Sequence, residues 1–440
     1  MELLLDFANM TERAVGAKGV SPERLKVKTN EAIKALKTLL ANPHGWPLGW
    51  LDLYARNSDV DAVNDAIDYT GDCDTLITIG MGGSGLGTRA VAAMFGKCVG
   101  PGEFTSVDGS RLIVLDNLDE DRTRRVAEEC AGRKIALNPV SKSGNTLEMV
   151  ANLTVLLGKL GADTKCVVTT GDVNSPLGVF AQKTKSPVLP VADDIGGRFT
   201  VLSAVSFFPL AFAGVDVMQM WVGAVDAHEE YTRKAAANPA VRLAAYLHEM
   251  YTAKGISQMV FMPYDERLYE FGRWWVQLFA ESLGKRKLLN GRTRATGFTP
   301  FCALGPSDQH SILQLLLEGP NDKVINIVEL DEPEKVAMRF GKMPPGLEEF
   351  SYLKGKCIHD IVRAELYGTQ GSLKNQGRPF FTSNMHRIDP YAIGQLIYFY
   401  EVVVGLLGVM FNINAFDQPA VVESKEITRK QLSCMGGTDI

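Results

Sequence analysis

From residue 74 onward, short apolar runs alternate with amphipathic stretches, and this alternation leaves few architectures open. The runs at 75–80, 111–116, 134–140, 166–170 and 188–191 each suit one buried strand. Between them, 86–95, 121–131, 146–160 and 175–183 carry apolar residues at helical spacing. Strands separated by helices of this length pair in parallel, with helices covering both faces of the sheet. A second set follows, with strands predicted at 258–263, 298–304 and 323–328 and helices at 216–252, 266–284, 308–317 and 389–410. Pro300 makes the middle one either an edge strand or only an extended lead-in, because proline has no N–H to give to a ladder. The fold class is therefore α/β with parallel sheets.

Residues 1–70 read as helical, with Ser21-Pro22-Glu23 as a start signal and Ala32, Ile33, Leu36, Leu39 and Leu40 on one face. Trp46 and Trp50 flank Pro47 in a connector that carries no recognisable chemistry. The predicted organisation is a helical arm over 1–65 packing on the second unit, a first unit over 66–205, and a second over 206–440 with a C-terminal helix. A chain of 440 residues has room for roughly two or three such units.

Charge and cysteine usage exclude several functions. With a net charge of −5 and no basic stripe, the chain is not expected to bind nucleic acid. If it handles an anion, positive potential must be concentrated in one cleft. The seven cysteines are dispersed, which predicts reduced thiols and a cytoplasmic protein, and no metal-ligand spacing is visible. Two long apolar runs, 201–214 and 396–411, are interrupted by Pro209 and Glu401. Both fall short of the ~18–20 residues of a membrane span, so they are predicted to be core helices.

In open parallel sheets, ligands bind beyond the carboxyl ends of the strands. Two of those ends are rich in polar and small residues. At 141–146, Ser141, Lys142, Ser143, Gly144, Asn145 and Thr146 lie between a strand and a helix. Hydroxyls beside the unpaired N–H groups of a helix N-terminus can cradle a phosphate or carboxylate, although an ordinary Ser/Thr cap has the same composition. At 80–87, Gly80, Gly82 and Gly85 satisfy G-x-G-x-x-G. A dinucleotide site, a monophosphate loop using Ser84 and nearby backbone N–H groups, and a structural turn all remain open there. The acidic residue that a ribose would need would be Asp116 or Asp108.

Four further positions carry chemistry. Arg198 follows Gly196-Gly197, where it can stabilise negative charge on an oxygen or pair with Asp193 or Asp194. Gln277 and Glu281 are four apart on a predicted helix, hence on one face. A partly desolvated Glu281 would suit a general base, whereas a surface Glu281 would pair with Lys285. His310 lies between a strand and a helix, as a proton carrier or a cap. Lys425 follows a turn at 412–419, facing a ligand or solvent.

Taken in order, these blocks resemble the phosphoglucose isomerase family in its shorter bacterial form, over roughly residues 70–430. The matching stretches are 80–87, Ser141 to Thr146 with Glu148, 196–200, Gln277 with Glu281 to Lys285, 308–311 with Gln314 and Glu318, and Phe416-Asp417-Gln418 leading to Lys425. The resemblance implies two flavodoxin-like sugar-isomerase domains and interconversion of glucose 6-phosphate and fructose 6-phosphate through a cis-enediol. It assigns Ser84, Ser141, Ser143 and Thr146 to the phosphate, with Gly83, Lys142 and Gln277 in support. It makes Glu281 the proton-transferring base and Arg198 the residue that steadies the intermediate. His310 and Lys425 would open the sugar ring, with Glu148 supporting His310. It further implies a homodimer in which the partner donates this histidine, and neither a metal nor another cofactor. Asn145, Leu147, Val402 and the run Ala420-Val421-Val422 depart from the family's usual residues, leaving the geometry before Lys425 open. Rival readings are a broader specificity that includes mannose 6-phosphate, a non-catalytic sugar-phosphate sensor, and a nucleotide-dependent dehydrogenase.

Overall fold

Every strand of the first sheet from Arg111–Leu115 to Val188–Pro190 runs parallel, as buried apolar runs separated by helices require. A computed structural model of the chain describes residues 3–53, 57–331 and 338–435. The eight-stranded sheet has the order Lys97–Gly100, Glu103–Thr105, Arg111–Leu115, Thr75–Ile79, Ile135–Ser141, Val168–Thr170, Val188–Pro190, and Lys165–Cys166 also pairs with Ile135–Ser141. Its first two strands form an antiparallel hairpin at one edge that the sequence analysis did not anticipate. The chain begins at Thr75–Ile79, steps outward to Arg111–Leu115, then crosses back to Ile135–Ser141. That reversal leaves a crevice at the carboxyl ends of Thr75–Ile79 and Ile135–Ser141. The glycine loop leaves the first of these ends and the hydroxyl loop the second.

The second sheet has five strands, in the order Leu3–Asp6, Phe380–Met385, Lys323–Leu330, Gln258–Pro263, Thr299–Cys302. Among the described residues Thr299–Cys302 pairs only with Gln258–Pro263, so Pro300 lies in an edge strand, the first of the two readings it left open. Leu3–Asp6 corrects the wholly helical reading of the first 70 residues, since it pairs antiparallel with Phe380–Met385. Leu3 is buried and Leu4 is 66% exposed, an alternation that a run of identical leucines conceals. Phe380–Met385 and the helix Ile358–Asn375 were also unread.

The helix predicted over 216–252 is two helices, Val217–Tyr231 and Pro239–Ala253. Asn238 caps the second by accepting from the N–H groups of Ala240 and Val241, with Pro239 in the first turn. The apolar run near the C-terminus belongs to a longer helix, Pro390–Met410, whose 21 residues suffice in length and composition to cross a bilayer. Its most apolar window is 89% buried within the protein, against Val217–Tyr231, Pro239–Ala253 and Pro22–Ala41. Glu401 on this helix is wholly buried, and burial raises its carboxyl pKa well above the ordinary value. Burial thus disfavours its charged form.

The helices that follow Thr75–Ile79 and Gln258–Pro263, which are Leu86–Phe95 and Tyr269–Leu283, pack on each other. Arg89 crosses this boundary, donating to Asp116 at 3.2 Å and to Glu270 at 2.7 Å. The packing carries the C-terminal end of Tyr269–Leu283, with Glu281, toward the glycine loop.

Candidate active site

Two glycine-rich turns meet back to back and define the centre of the site. A side chain at Gly83 would lie 2.1 Å from the carbonyl oxygen of Gly197, and Thr200 donates to the Gly197 carbonyl at 2.7 Å. Only a residue without a side chain permits this approach. We expect Gly83→Ala to cost about 1–3 kcal/mol in urea unfolding, because backbone rather than a flexible side chain must yield. Unchanged stability would mean that the two turns are not locked together.

Arg198, on the second turn, is 2% exposed. Its Nε donates to Ser282 Oγ at 2.6 Å, and one Nη1 proton goes to Gln418 Oε1 at 3.0 Å. Its Nη2 serves the carbonyls of Ala415 at 2.5 Å and Asp417 at 3.0 Å. These bonds use four of a guanidinium's five N–H groups. The remaining one is on Nη1, the nitrogen 3.7 Å from Glu281 Oε2. Arg198 thus turns away from Asp193 and Asp194 and faces the carboxylate. Burial pulls the guanidinium below its ordinary pKa, with Glu281 and Asp417 opposing the shift, and it stays charged.

Glu281 keeps 28% of its side chain exposed, so it sits at the mouth of the site rather than in an apolar pocket. Gln277, one turn earlier, donates its amide Nε2 to Glu281 Oε2 at 3.2 Å. The other end of that amide, Oε1, is buried and has no hydrogen-bond partner among the described residues. Lys285 does not pair with the Glu281 carboxylate. Its Nζ donates instead to the carbonyls of Glu281 and Asp417, at 2.7 Å each.

The hydroxyl loop is tied to the arginine turn through Lys142, whose Nζ donates to the carbonyls of Asp193 at 2.8 Å and Ile195 at 2.7 Å. Burial lowers the pKa of this ammonium. Lys142 thereby acts as a tether, pointing into protein. Ser141 and Thr146 share a hydroxyl–hydroxyl bond of 2.8 Å, and Ser143 donates to Asn145 at 2.8 Å. Thr146 precedes the 14-residue helix Leu147–Leu160 without a side-chain cap bond, so the first-turn N–H groups face the loop. Gly144 has φ +63, and a side chain there would lie 1.8 Å from Ser175 Oγ. Ser84 is half-buried in the short turn Gly82–Ser84.

The departures at 420–422 fall at the start of a helix, Val421–Cys434, none of whose residues is buried. Lys425 is therefore presented from the second turn of a helix. It shares a hollow of about 280 Å³ with Ser143, Thr146, Glu148 and Arg429. Glu148 lines this hollow too, and no contact joins it to His310 among the described residues. His310 is exposed at the C-terminal end of Gly305–Gln309. The single chain does not bring it to the other site residues.

Of the three readings of the glycine loop, the dinucleotide one loses its acidic residue. Asp116 is held by Arg89 and lies 3.5 Å from Arg122, while Asp108 accepts from Ser106 and from the N–H of Ser110. An aromatic wall behind Arg198 has no local motif to announce it. Phe416 packs on Trp46 at 5.4 Å and on Phe199 at 5.5 Å, and Phe199 stacks on Trp50 at 5.0 Å. Two tryptophans within five residues were the available signal. Among the described residues, no group of three or more His, Cys, Asp or Glu is placed to hold a metal ion.

Comparison with known proteins bears on this arrangement. The profile of the family described as phosphoglucose isomerase matches residues 62–339 and 346–435. A probable glucose-6-phosphate isomerase from Methanococcus maripaludis is 31% identical, over 100% of this chain and 96% of its own. A glucose-6-phosphate isomerase from Rubrobacter xylanophilus is 32% identical over 99% of each chain. Among solved structures, a hypothetical protein from Thermus thermophilus superposes with a TM-score of 0.85 at 32% identity, over 98% of this chain and 100% of the other. A glucose-6-phosphate isomerase from Chlamydia trachomatis shares the fold with a TM-score of 0.81 at 20% identity, over 99% of this chain and 89% of the other. With a family match over most of its length and full-length relatives above 30% identity, the chain belongs to the phosphoglucose isomerase family.

Proposed function

We propose that this chain interconverts glucose 6-phosphate and fructose 6-phosphate through a cis-enediol, with Glu281 carrying the proton between C2 and C1. The observation that carries the proposal is the pairing of one oriented carboxylate with one spare guanidinium N–H. Glu281 Oε2 receives the Gln277 amide at 3.2 Å and lies 3.7 Å from Arg198 Nη1. An aldose–ketose isomerase needs one carboxylate that takes a proton from one carbon and returns it to the next. As that proton leaves, negative charge grows on the substrate oxygens. A buried cation with a free donor stabilises that charge more than water would, because its dipoles are already oriented.

The phosphate is assigned to Ser84, Ser141, Ser143, Thr146 and the first-turn N–H groups of Leu147–Leu160. Gripping this unreacting end holds the open-chain carbons near Glu281. Ring opening falls to Lys425 within the chain and to His310, which reaches a site only from a second copy. A homodimer and a cytoplasmic location are parts of the same proposal.

The direct test is turnover of fructose 6-phosphate in a coupled assay, together with exchange of the C2 proton into deuterated water. Any release of the C2 hydrogen to solvent excludes hydride transfer and supports the enediol, whereas absence of turnover would sink the proposal. Thr146→Val should raise KM about tenfold with kcat little changed, since one hydrogen bond to a charged ligand is worth ~1.5–3 kcal/mol. An unaltered KM for the phosphorylated sugar would take Thr146 out of the cradle.

A further inference from the structure

We propose that Lys285 is a positioning residue, which joins the Glu281 carbonyl to the Asp417 carbonyl and so holds the base in register with Arg198. The inference rests on the function proposed above. Glu281 projects from the last turn of Tyr269–Leu283, whereas the Ala415, Asp417 and Gln418 groups that hold Arg198 lie more than a hundred residues later. The Lys285 ammonium bridges these two segments directly, with both bonds at 2.7 Å.

Lys285 and Arg198 share the Asp417 carbonyl, at 2.7 Å and 3.0 Å. One backbone oxygen therefore fixes two cations relative to each other. The Asp417 carboxylate, 3.6 Å from Lys285 Nζ, partly balances them. Such a bridge is costly, since Lys285 is 9% exposed and a solvated ammonium would be more stable. Packing alone would be met by an apolar side chain of similar length.

The charged groups that face this ammonium are Arg198 from the arginine turn, Asp417 from the 412–418 loop and Glu281 from the preceding helix. On its own hairpin, Arg286, Lys287, Arg292 and Arg294 are exposed. Burial, then repulsion from Arg198, lowers the Lys285 pKa to about 8 from 10.5. Between those values the unfolded chain binds more protons than the folded one, so this group makes stability rise with pH. An alkaline loss of turnover traced to Lys285 is thereby distinguishable from unfolding, which its deprotonation opposes.

The experiment compares wild type, Lys285→Met and Lys285→Arg by steady-state kinetics on fructose 6-phosphate from pH 6 to 10, with Tm recorded at each pH. For Lys285→Met, kcat should fall about 100-fold, the size of effect that a displacement near 1 Å produces. KM should stay within about twofold, and Tm should fall by only a few degrees, since the Glu281 carbonyl loses its lysine donor while the Asp417 carbonyl keeps that of Arg198, so the enzyme stays folded at the assay temperature. Lys285→Arg, which keeps the charge, should restore kcat to within about tenfold and carry the alkaline limb of kcat, near pH 8 in wild type, upward. Wild-type kcat in Lys285→Met overturns the inference. So does a parallel fall of Tm and kcat in both variants, which would make Lys285 merely structural. A wild-type protein with no isomerase activity overturns the proposed function, and this inference with it.

Discussion

Replacing Glu281 by glutamine is expected to lower kcat about 10²- to 10⁴-fold, the range spanned by loss of a general base. The amide is nearly isosteric with the carboxylate, so the helix Tyr269–Leu283 should keep its packing. What changes is the chemistry at one atom. An amide cannot accept a proton from carbon, and its NH₂ group would face the Gln277 Nε2 donor or Arg198 Nη1. Phosphate binding is assigned to other residues, so affinity for a sugar phosphate measured by calorimetry should change less than threefold or so. Proton exchange at C2 should vanish along with turnover. A variant that exchanges at the wild-type rate would show that another group is the base.

Arg198→Lys should be nearly as damaging, by a different route. A lysine preserves the charge but replaces a rigid planar fork by one flexible ammonium. It cannot serve Ser282, Gln418, Ala415 and Asp417 together, as the guanidinium does. Each buried carbonyl left without a donor costs about 1–3 kcal/mol. We therefore expect a loss of roughly 2–4 kcal/mol in urea unfolding and about 10²- to 10³-fold in kcat/KM. The two measurements separate the roles of this residue. If kcat/KM falls while stability is retained, the guanidinium acts on the substrate and its scaffold role is secondary. A variant unchanged in both would sink the assignment of Arg198 altogether.

Much of the architecture was legible in local pattern. Buried parallel strands are apolar throughout, so Thr75–Ile79, Arg111–Leu115 and Gln258–Pro263 stand out from amphipathic helices. Pro300 narrowed its segment to an edge strand or an extended lead-in, because a missing N–H is poorly tolerated inside a sheet, and the structure has the edge strand. The elements that escaped have mixed or very short patterns. Leu3–Asp6 has too few residues to display alternation, and it becomes a strand only because Phe380–Met385, far along the chain, supplies its partner. Asn238-Pro239 was a helix start in plain sight, overridden by the apolar residues on either side of it.

The candidate site divides in the same way. Residue types that chemistry demands, such as the hydroxyls of 141–146, the glycines before Arg198 and the carboxylate of Glu281, were visible as local motifs. Partnerships were not. Lys142 reads as a phosphate ligand in isolation, yet its ammonium is consumed by two carbonyls of the arginine turn. Lys285 reads as the ion-pair partner of Glu281, yet it binds that residue's backbone. Trp46 and Trp50 carry no chemistry of their own and still support Phe199 and Phe416 behind Arg198.

By itself, then, the sequence determined the class of fold and the list of reactive groups, because strand and helix periodicity and side-chain type are properties of neighbouring residues. Only the tertiary structure decided which donor meets which acceptor. Those pairings join residues such as Arg198 and Asp417, far apart in the chain, and they depend on how two sheets dock through Leu86–Phe95 and Tyr269–Leu283. A buried polar group must find a partner wherever the fold provides one, and no local pattern records where that will be.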